Sequence, residues 1–225
     1  MAAIKLENIG YSIGGRVLFS GLSAEFNLGE KVGIVGEAGS GRSDLLNLLS
    51  GLTAPDTGSI YILDMDINRI GSLELDSLRK RIGFVFQNAV LISNLKVIQN
   101  VILPLQYHTD LTDEAIMERG LGLLTRAGYN EDIWALPALL PPFKKKEVAF
   151  ARAMALNPDI MIYDRFLEGL DYRQREFMIG LIEDTHGSGV QRLSIFTAND
   201  VEEIKGISLD RIFMIKDKTL VRQDG

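Results

Sequence analysis

Lys31-Val-Gly-Ile-Val35 runs straight into Gly36-Glu-Ala-Gly-Ser-Gly-Arg-Ser43, and the next residues, Asp44 to Leu49, carry leucines at 45, 46, 48 and 49 in helical spacing. A short apolar strand, a glycine-rich turn and a helix in that order form the phosphate-binding arrangement of an α/β chain. Glycines at 36, 39 and 41 let the backbone curl so that successive N–H groups point inward at an anion, and the helix adds its positive N-terminal end. The eight residues match G-x-x-x-x-G-K-[ST] except that Arg42 stands where lysine is expected. Gly36, Glu37, Ala38, Gly39, Ser40, Gly41, Arg42, Ser43 and Asp44 are therefore the candidate phosphate contacts, with Ser43 placed to ligate Mg²⁺. Arg42 keeps a positive charge but is planar and forked where lysine is a compact point charge. Taken alone, the octapeptide also fits a glycine turn that binds nothing.

The rest of the chain supplies context. From Ile4 to Leu28 short alternating segments broken by Gly14-Gly15 and Gly21 predict antiparallel strands joined by tight turns. Arg81 to Phe86 reads as a strand. Thr112 to Gly128 reads as a helix, with an N-cap, an acidic first turn and a glycine stop. Pro158 precedes Asp159-Ile-Met-Ile-Tyr-Asp164, an apolar run ending in a carboxylate, as expected of a buried parallel strand whose C-terminal end faces a site. Arg192 to Phe196 reads as the next such strand, and Arg211 to Val221 as a hairpin turning at Lys216-Asp217-Lys218. The expected organisation is one domain over 1–225. Residues 1–30 form an antiparallel β layer, 31–87 and 158–225 a nucleotide-binding core, and 88–157 a mostly helical subdomain.

Composition removes other classes. At 225 residues with 46% hydrophobic content the chain can bury one sizeable core. A net charge of -6 with scattered basic residues lacks the positive field that nucleic-acid backbones require, so nucleic acid is not an expected partner. Zero cysteines exclude thiolate ligands and a cysteine nucleophile, and His108 and His186 are too few and too far apart for a histidine-rich metal site. No basic leader with an apolar stretch opens the sequence, and no uncharged run approaches the ~18 residues of a membrane span.

Tyr11, the glycine loop, Gln87, Arg152, Asp164 and Gly169-Leu-Asp171 occur in order at intervals that resemble those of the ABC transporter ATPase family. Gly83-Phe-Val-Phe-Gln87-Asn-Ala-Val-Leu and Gln99-Asn-Val-Ile-Leu-Pro-Leu105 look most like the ATPases of Mce-type lipid transporters. The resemblance implies a P-loop NTPase fold of the RecA-like kind, with ATP and Mg²⁺ as ligands. It implies that Tyr11 stacks on adenine, although a strand tyrosine also fits ordinary packing. Gln87 would contact Mg²⁺ or the attacking water, Asp164 would hold Mg²⁺ through water, and Asp171 would lie at an interface between two subunits. The implied partners are a membrane subunit of a transporter and a second ATPase subunit, identical or different. The implied place is cytoplasmic, at the inner face of the membrane.

Three departures stand against that pattern. The family has a water-polarising glutamate after the aspartate, where this sequence has Arg165, which cannot act as a base and could instead pair with Asp164 or a phosphate. Alignment of Asp200 and Glu202-Glu203 puts Asn199 at the position of the switch histidine. The Leu-Ser-Gly-Gly-Gln signature has become Leu140-Pro-Pro-Phe-Lys144, in which two prolines remove two backbone donors. Lys144, Lys145 and Lys146 add charge near the same helix end, where they would hold a phosphate electrostatically or, as the favoured reading, form a solvated basic face. In the family each site joins one subunit's phosphate loop to the other's signature, so this chain would damage both sites of a dimer. ATP binding with weak or absent hydrolysis is the leading expectation. An active transport ATPase and a scaffold that has lost nucleotide are its rivals, and nucleotide titration separates the three.

Overall fold

A computed structural model describes residues 1–223. Two sheets share the chain. β1 (Ala2–Ile13), β2 (Arg16–Asn27), β4 (Thr57–Ile62) and β5 (Met65–Asp66) form an antiparallel sheet in the order β2-β1-β4-β5. The other sheet has the order β10-β9-β3-β8-β7-β6, from β3 (Lys31–Val35), β6 (Ile82–Val85), β7 (Ile160–Asp164), β8 (Leu193–Ala198), β9 (Arg211–Lys216) and β10 (Thr219–Gln223). Within it every pairing is parallel except the terminal β9–β10 hairpin. The α/β class and the layered architecture stand as the sequence implies.

Two expectations change in detail. The antiparallel layer reaches past residue 30, because β4 pairs with β1 from Ile4↔Ile62 to Gly10↔Thr57. Gly21 makes no turn. It sits at φ +68 inside β2, where the register slips between Ile9↔Leu22 and Tyr11↔Phe19, so it relieves a bulge. The tight turn is Gly14-Gly15, both at positive φ, and the Asp217-Lys218 turn adopts the same handedness with φ of 49° and 63°.

Alternation along the parallel strands covers both faces. Ile34, Ile160, Ile162 and Ile195 join a core with the antiparallel layer and α1 (Arg42–Leu49). Val35, Met161, Tyr163 and Phe196 face the other core, under α3 (Val97–His108), α4 (Asp113–Arg126) and α5 (Pro142–Ala153). These three helices fill the stretch read as a helical subdomain. Thr112 caps α4 by accepting from the Ala115 N–H. A Cβ on Gly120 would lie 2.4 Å from Ile102 Cγ2, which is why α3 and α4 approach so closely.

Register aligns the strand ends. Val35 pairs with Ala198, Asp164 with Thr197 and Val85 with Tyr163. The residues that follow, Gly36, Asn199, Arg165 and Phe86-Gln87, therefore leave the sheet along one edge. That edge is the candidate site.

Candidate functional site

The glycine loop is shaped as an anion cradle. Gly39 and Gly41 hold φ of 79° and 92°, and a Cβ on Gly36 would lie 2.6 Å from Ser40 Oγ. The Gly36 N–H donates to Ala198 O at 3.1 Å and the Ser40 N–H to Glu37 O at 3.0 Å. The N–H groups of Gly39, Gly41, Arg42 and Ser43 find no acceptor among the described residues, and the buried Ser40 hydroxyl has no partner there either. Unspent donors converging on a concavity are what an anion requires. Ser43 is exposed and Asp44 half-buried at the start of α1.

Arg42 does not face that cradle. Its side chain is 8% exposed, and Nη1 donates to Gly36 O and to Ala198 O, the latter at 2.6 Å. Nη2 donates to Asn199 Oδ1 at 3.1 Å. Burial, then the nearby Arg165 cation, lowers its pKa. The larger fork thus ties the loop to the end of β8.

Arg165 meets its partners away from Asp164. It sits at φ +44, a strained position for a side chain of this size. Nη2 pairs with Glu168 at 2.7 Å, Nε approaches Glu203 at 3.9 Å, and Nη1 donates to Gln87 Oε1 at 3.4 Å. The Gln87 Nε2 donates to Glu168 at 2.6 Å, so Gln87, Arg165 and Glu168 close a triangle. Asn199 belongs to the same cluster, donating its N–H and Nδ2 to Glu203 at 2.9 and 2.6 Å. Asp164 instead accepts from Thr197 Oγ1 at 2.8 Å. The pairing of Arg165 with Asp164 anticipated from sequence is replaced by ion pairs to two glutamates.

The divergent signature segment leads directly into a helix. Pro141 and Pro142 open α5, with Pro142 at the first helical position, where no N–H is missed by the helix itself. The lysines that follow are not a solvated face. Lys146 is 6% exposed and donates to Gln87 O at 3.0 Å and Phe166 O at 2.6 Å, and burial lowers its pKa to about 8. Glu147, 2% exposed, pairs with Lys144 at 2.9 Å, yet burial still raises it to about 7. Arg152 donates to Ala89 O and Val90 O at 3.1 and 2.9 Å and so fixes the left-handed turn after Gln87.

The remaining sequence candidates divide. Tyr11 packs partly buried against the core of the antiparallel layer, whereas the cavity over the loop is lined by Arg16, Gly36 to Ser40, Asn199 and Lys216. Asp171 caps α6 (Tyr172–His186), accepting from the Gln174 N–H at 2.9 Å. For Mg²⁺, the hard oxygens of the exposed Ser43 and of Asp164 at the strand edge suit the ion, while Gln87 spends its amide within the chain. No group of three or more His, Asp or Glu among the described residues could hold a metal by itself, so Mg²⁺ there would need further ligands from phosphate oxygens and water.

Comparison with known proteins agrees with this architecture. A family model described as ABC transporter matches residues 19–166. The intermembrane phospholipid transport system ATP-binding protein MlaF of Haemophilus influenzae is 30% identical over 98% of this chain and 83% of its own length. The methionine import ATP-binding protein MetN of Mesorhizobium japonicum is 32% identical over 98% of this chain, which spans 60% of that protein. A post-hydrolysis dimer of the ATP-binding cassette MJ0796, bound to ADP and Pi, superposes with a TM-score of 0.88 at 29% identity, covering 98% of this chain and 97% of that one. Each departure at Arg42, Arg165 and Asn199 thus lies within a framework whose strands, loop and helical subdomain are shared: the chain belongs to the ABC transporter family as an ATP-binding cassette.

Proposed function

We propose that this cassette holds ATP at its phosphate loop and hydrolyses it weakly or not at all, as the nucleotide-binding subunit of a membrane transporter. The observation that carries the proposal is Arg165. It stands directly after Asp164 and is ion-paired to Glu168 and Glu203, so the position of a water-polarising carboxylate holds a cation with its charge already matched. Binding rests on separate groups, the unspent N–H donors of the loop and the Ser40 hydroxyl. Ser43 and Asp164 would hold Mg²⁺, which when bound offsets phosphate charge. Asn199 hydrogen-bonds but does not titrate, and Pro141 and Pro142 present no N–H to a partner's phosphate.

The expected assembly is with a membrane subunit and a second cassette, identical or not, peripheral to the cytoplasmic face. Among the described residues no helix is long and apolar enough to cross a membrane. Cargo selection lies outside the cassette: the relatives at 30% and 32% identity are named for phospholipid and methionine systems, and the resemblance to Mce-type ATPases favours lipid.

Titration of the chain with ATP, with and without Mg²⁺, alongside phosphate release, tests the proposal. Saturable Mg²⁺-dependent binding is expected, with turnover at least ~100-fold below that of a cassette carrying the glutamate. Ordinary turnover that Ser43→Ala or Asp164→Asn abolishes would sink it. A second reading, a scaffold without nucleotide, is favoured by Arg42 lodging against Gly36 and Ala198, and absence of any binding would establish it.

A further inference from the structure

With Arg42 spent on protein acceptors, the loop needs another source of positive charge if it is to hold a polyphosphate. The structure offers one from a different layer. β2 runs beside the loop, its Phe19 ring and Leu18 packed so tightly against Gly41 that a Cβ there would lie 3.1 and 3.5 Å from them. Three residues earlier on the same strand, immediately after the Gly14-Gly15 turn, Arg16 donates Nη2 to Gly39 O at 3.0 Å. That bond uses one of five guanidinium donors, and no other acceptor takes Arg16 among the described residues. From the adjoining β9–β10 hairpin, whose Lys218 O accepts from the Ser20 N–H of β2 at 3.0 Å, the end of β9 brings Lys216 to the loop, because Val35 pairs with Met214 and Ile215 lies against Gly36. Arg16 and Lys216 both line the cavity over Gly36 to Ser40, together with the carboxylates Glu37 and Asp200.

We infer that Arg16, assisted by Lys216, is the phosphate-facing cation of this cassette, and that Arg42 is a structural brace in the place where the motif has its phosphate lysine. The inference rests on the nucleotide-binding reading above and names the residues through which that site takes its ligand. The ligand class is a polyphosphate chain: Arg16's free donors match paired phosphate oxygens in bidentate geometry, next to loop N–H groups that are still unspent. Because Arg16 is exposed and lies at the first position of a surface hairpin, its charge is available without dismantling the core.

The test compares the wild-type chain with Arg16→Ala, Arg16→Glu and Lys216→Ala in titrations with Mg-ATP and with inorganic tripolyphosphate, which has no base or ribose. Arg16→Ala is expected to weaken both ligands about tenfold or more, Arg16→Glu further, and Lys216→Ala by a smaller factor, all with an unchanged unfolding midpoint. The salt dependence of binding should flatten in step. If wild type binds both ligands and the Arg16 variants bind them equally well, the assignment of Arg16 is wrong while the nucleotide-binding reading stands. Loss confined to ATP, with tripolyphosphate unaffected, also overturns it, since Arg16 would then serve the nucleoside. If wild type binds neither, both readings fall together.

Discussion

The two ends of the same sheet edge treat their polar groups in opposite ways. Around the glycine loop, donors stand open: the N–H groups of Gly39, Gly41, Arg42 and Ser43, the Ser40 hydroxyl and most of Arg16 have no acceptor among the described residues. Around Arg165 almost everything is paired, with Gln87, Glu168, Glu203 and Asn199 bound to one another and Lys146 gripping the backbone on two sides. A site that awaits a ligand keeps its hydrogen-bonding capacity open. Groups that bind one another serve as structure instead. Here one sheet edge carries both arrangements.

Variants can break this contrast, starting where the effect is largest. Arg42→Ala removes a buried cation from three acceptors, leaving Gly36 O unpaired and Ala198 O with only the Gly36 N–H, so it should cost about 3 kcal/mol in denaturant unfolding. A cost under ~0.5 kcal/mol would mean that Arg42 is no brace. Next comes Arg165→Ala, whose pairs are partly exposed. Screening limits their worth to about 1 kcal/mol, and ATP affinity should stay within a factor of about three, because the open end of the edge is untouched. A large loss of affinity would show that the two ends are one site.

The smallest effect is a matter of pH. Glu147 is raised to about 7 by burial from an ordinary value near 4.5, so between those limits the folded chain holds a proton that the unfolded chain releases. Its contribution to stability therefore falls as pH rises from about 4.5 to 7 and is level above that. Unfolding free energies of wild type and Glu147→Gln, measured side by side, should diverge in favour of the variant across that window and run parallel at higher pH. Parallel behaviour throughout would mean that Lys144 fully compensates the burial.

Much of this was legible in the sequence. The loop's glycine spacing, the apolar run closing on Asp164, the Thr112-capped helix and the Asp217-Lys218 turn are local signals, set by φ preferences and by alternation within a few residues. The alignment of Asp200 put Asn199 at the switch position, but its contact with Arg42 comes from the structure alone. What escaped is the matching of side chains to distant acceptors. Arg42 and Ala198 lie 156 residues apart in sequence, and nothing in the octapeptide says which way a guanidinium turns. Lys146 read as solvent-facing because three consecutive lysines look alike, yet on a helix successive residues point in different directions and only one of the three is buried. β4 joined the antiparallel layer unannounced, since period-two patterning identifies a strand but not its neighbour. Arg16 had no motif to mark it. Its one clue was its place at the end of a two-glycine turn on a strand that must pass the loop.

Lys146 also bears on how the cassette moves. Its ammonium grips the backbone of Gln87, leading out of β6, and of Phe166, leading out of β7, while its own stem belongs to α5. A swing of the helical subdomain must either carry both loops with it or strand a buried cation without acceptors. One buried ammonium thus ties α5 to the two loops that leave the sheet edge.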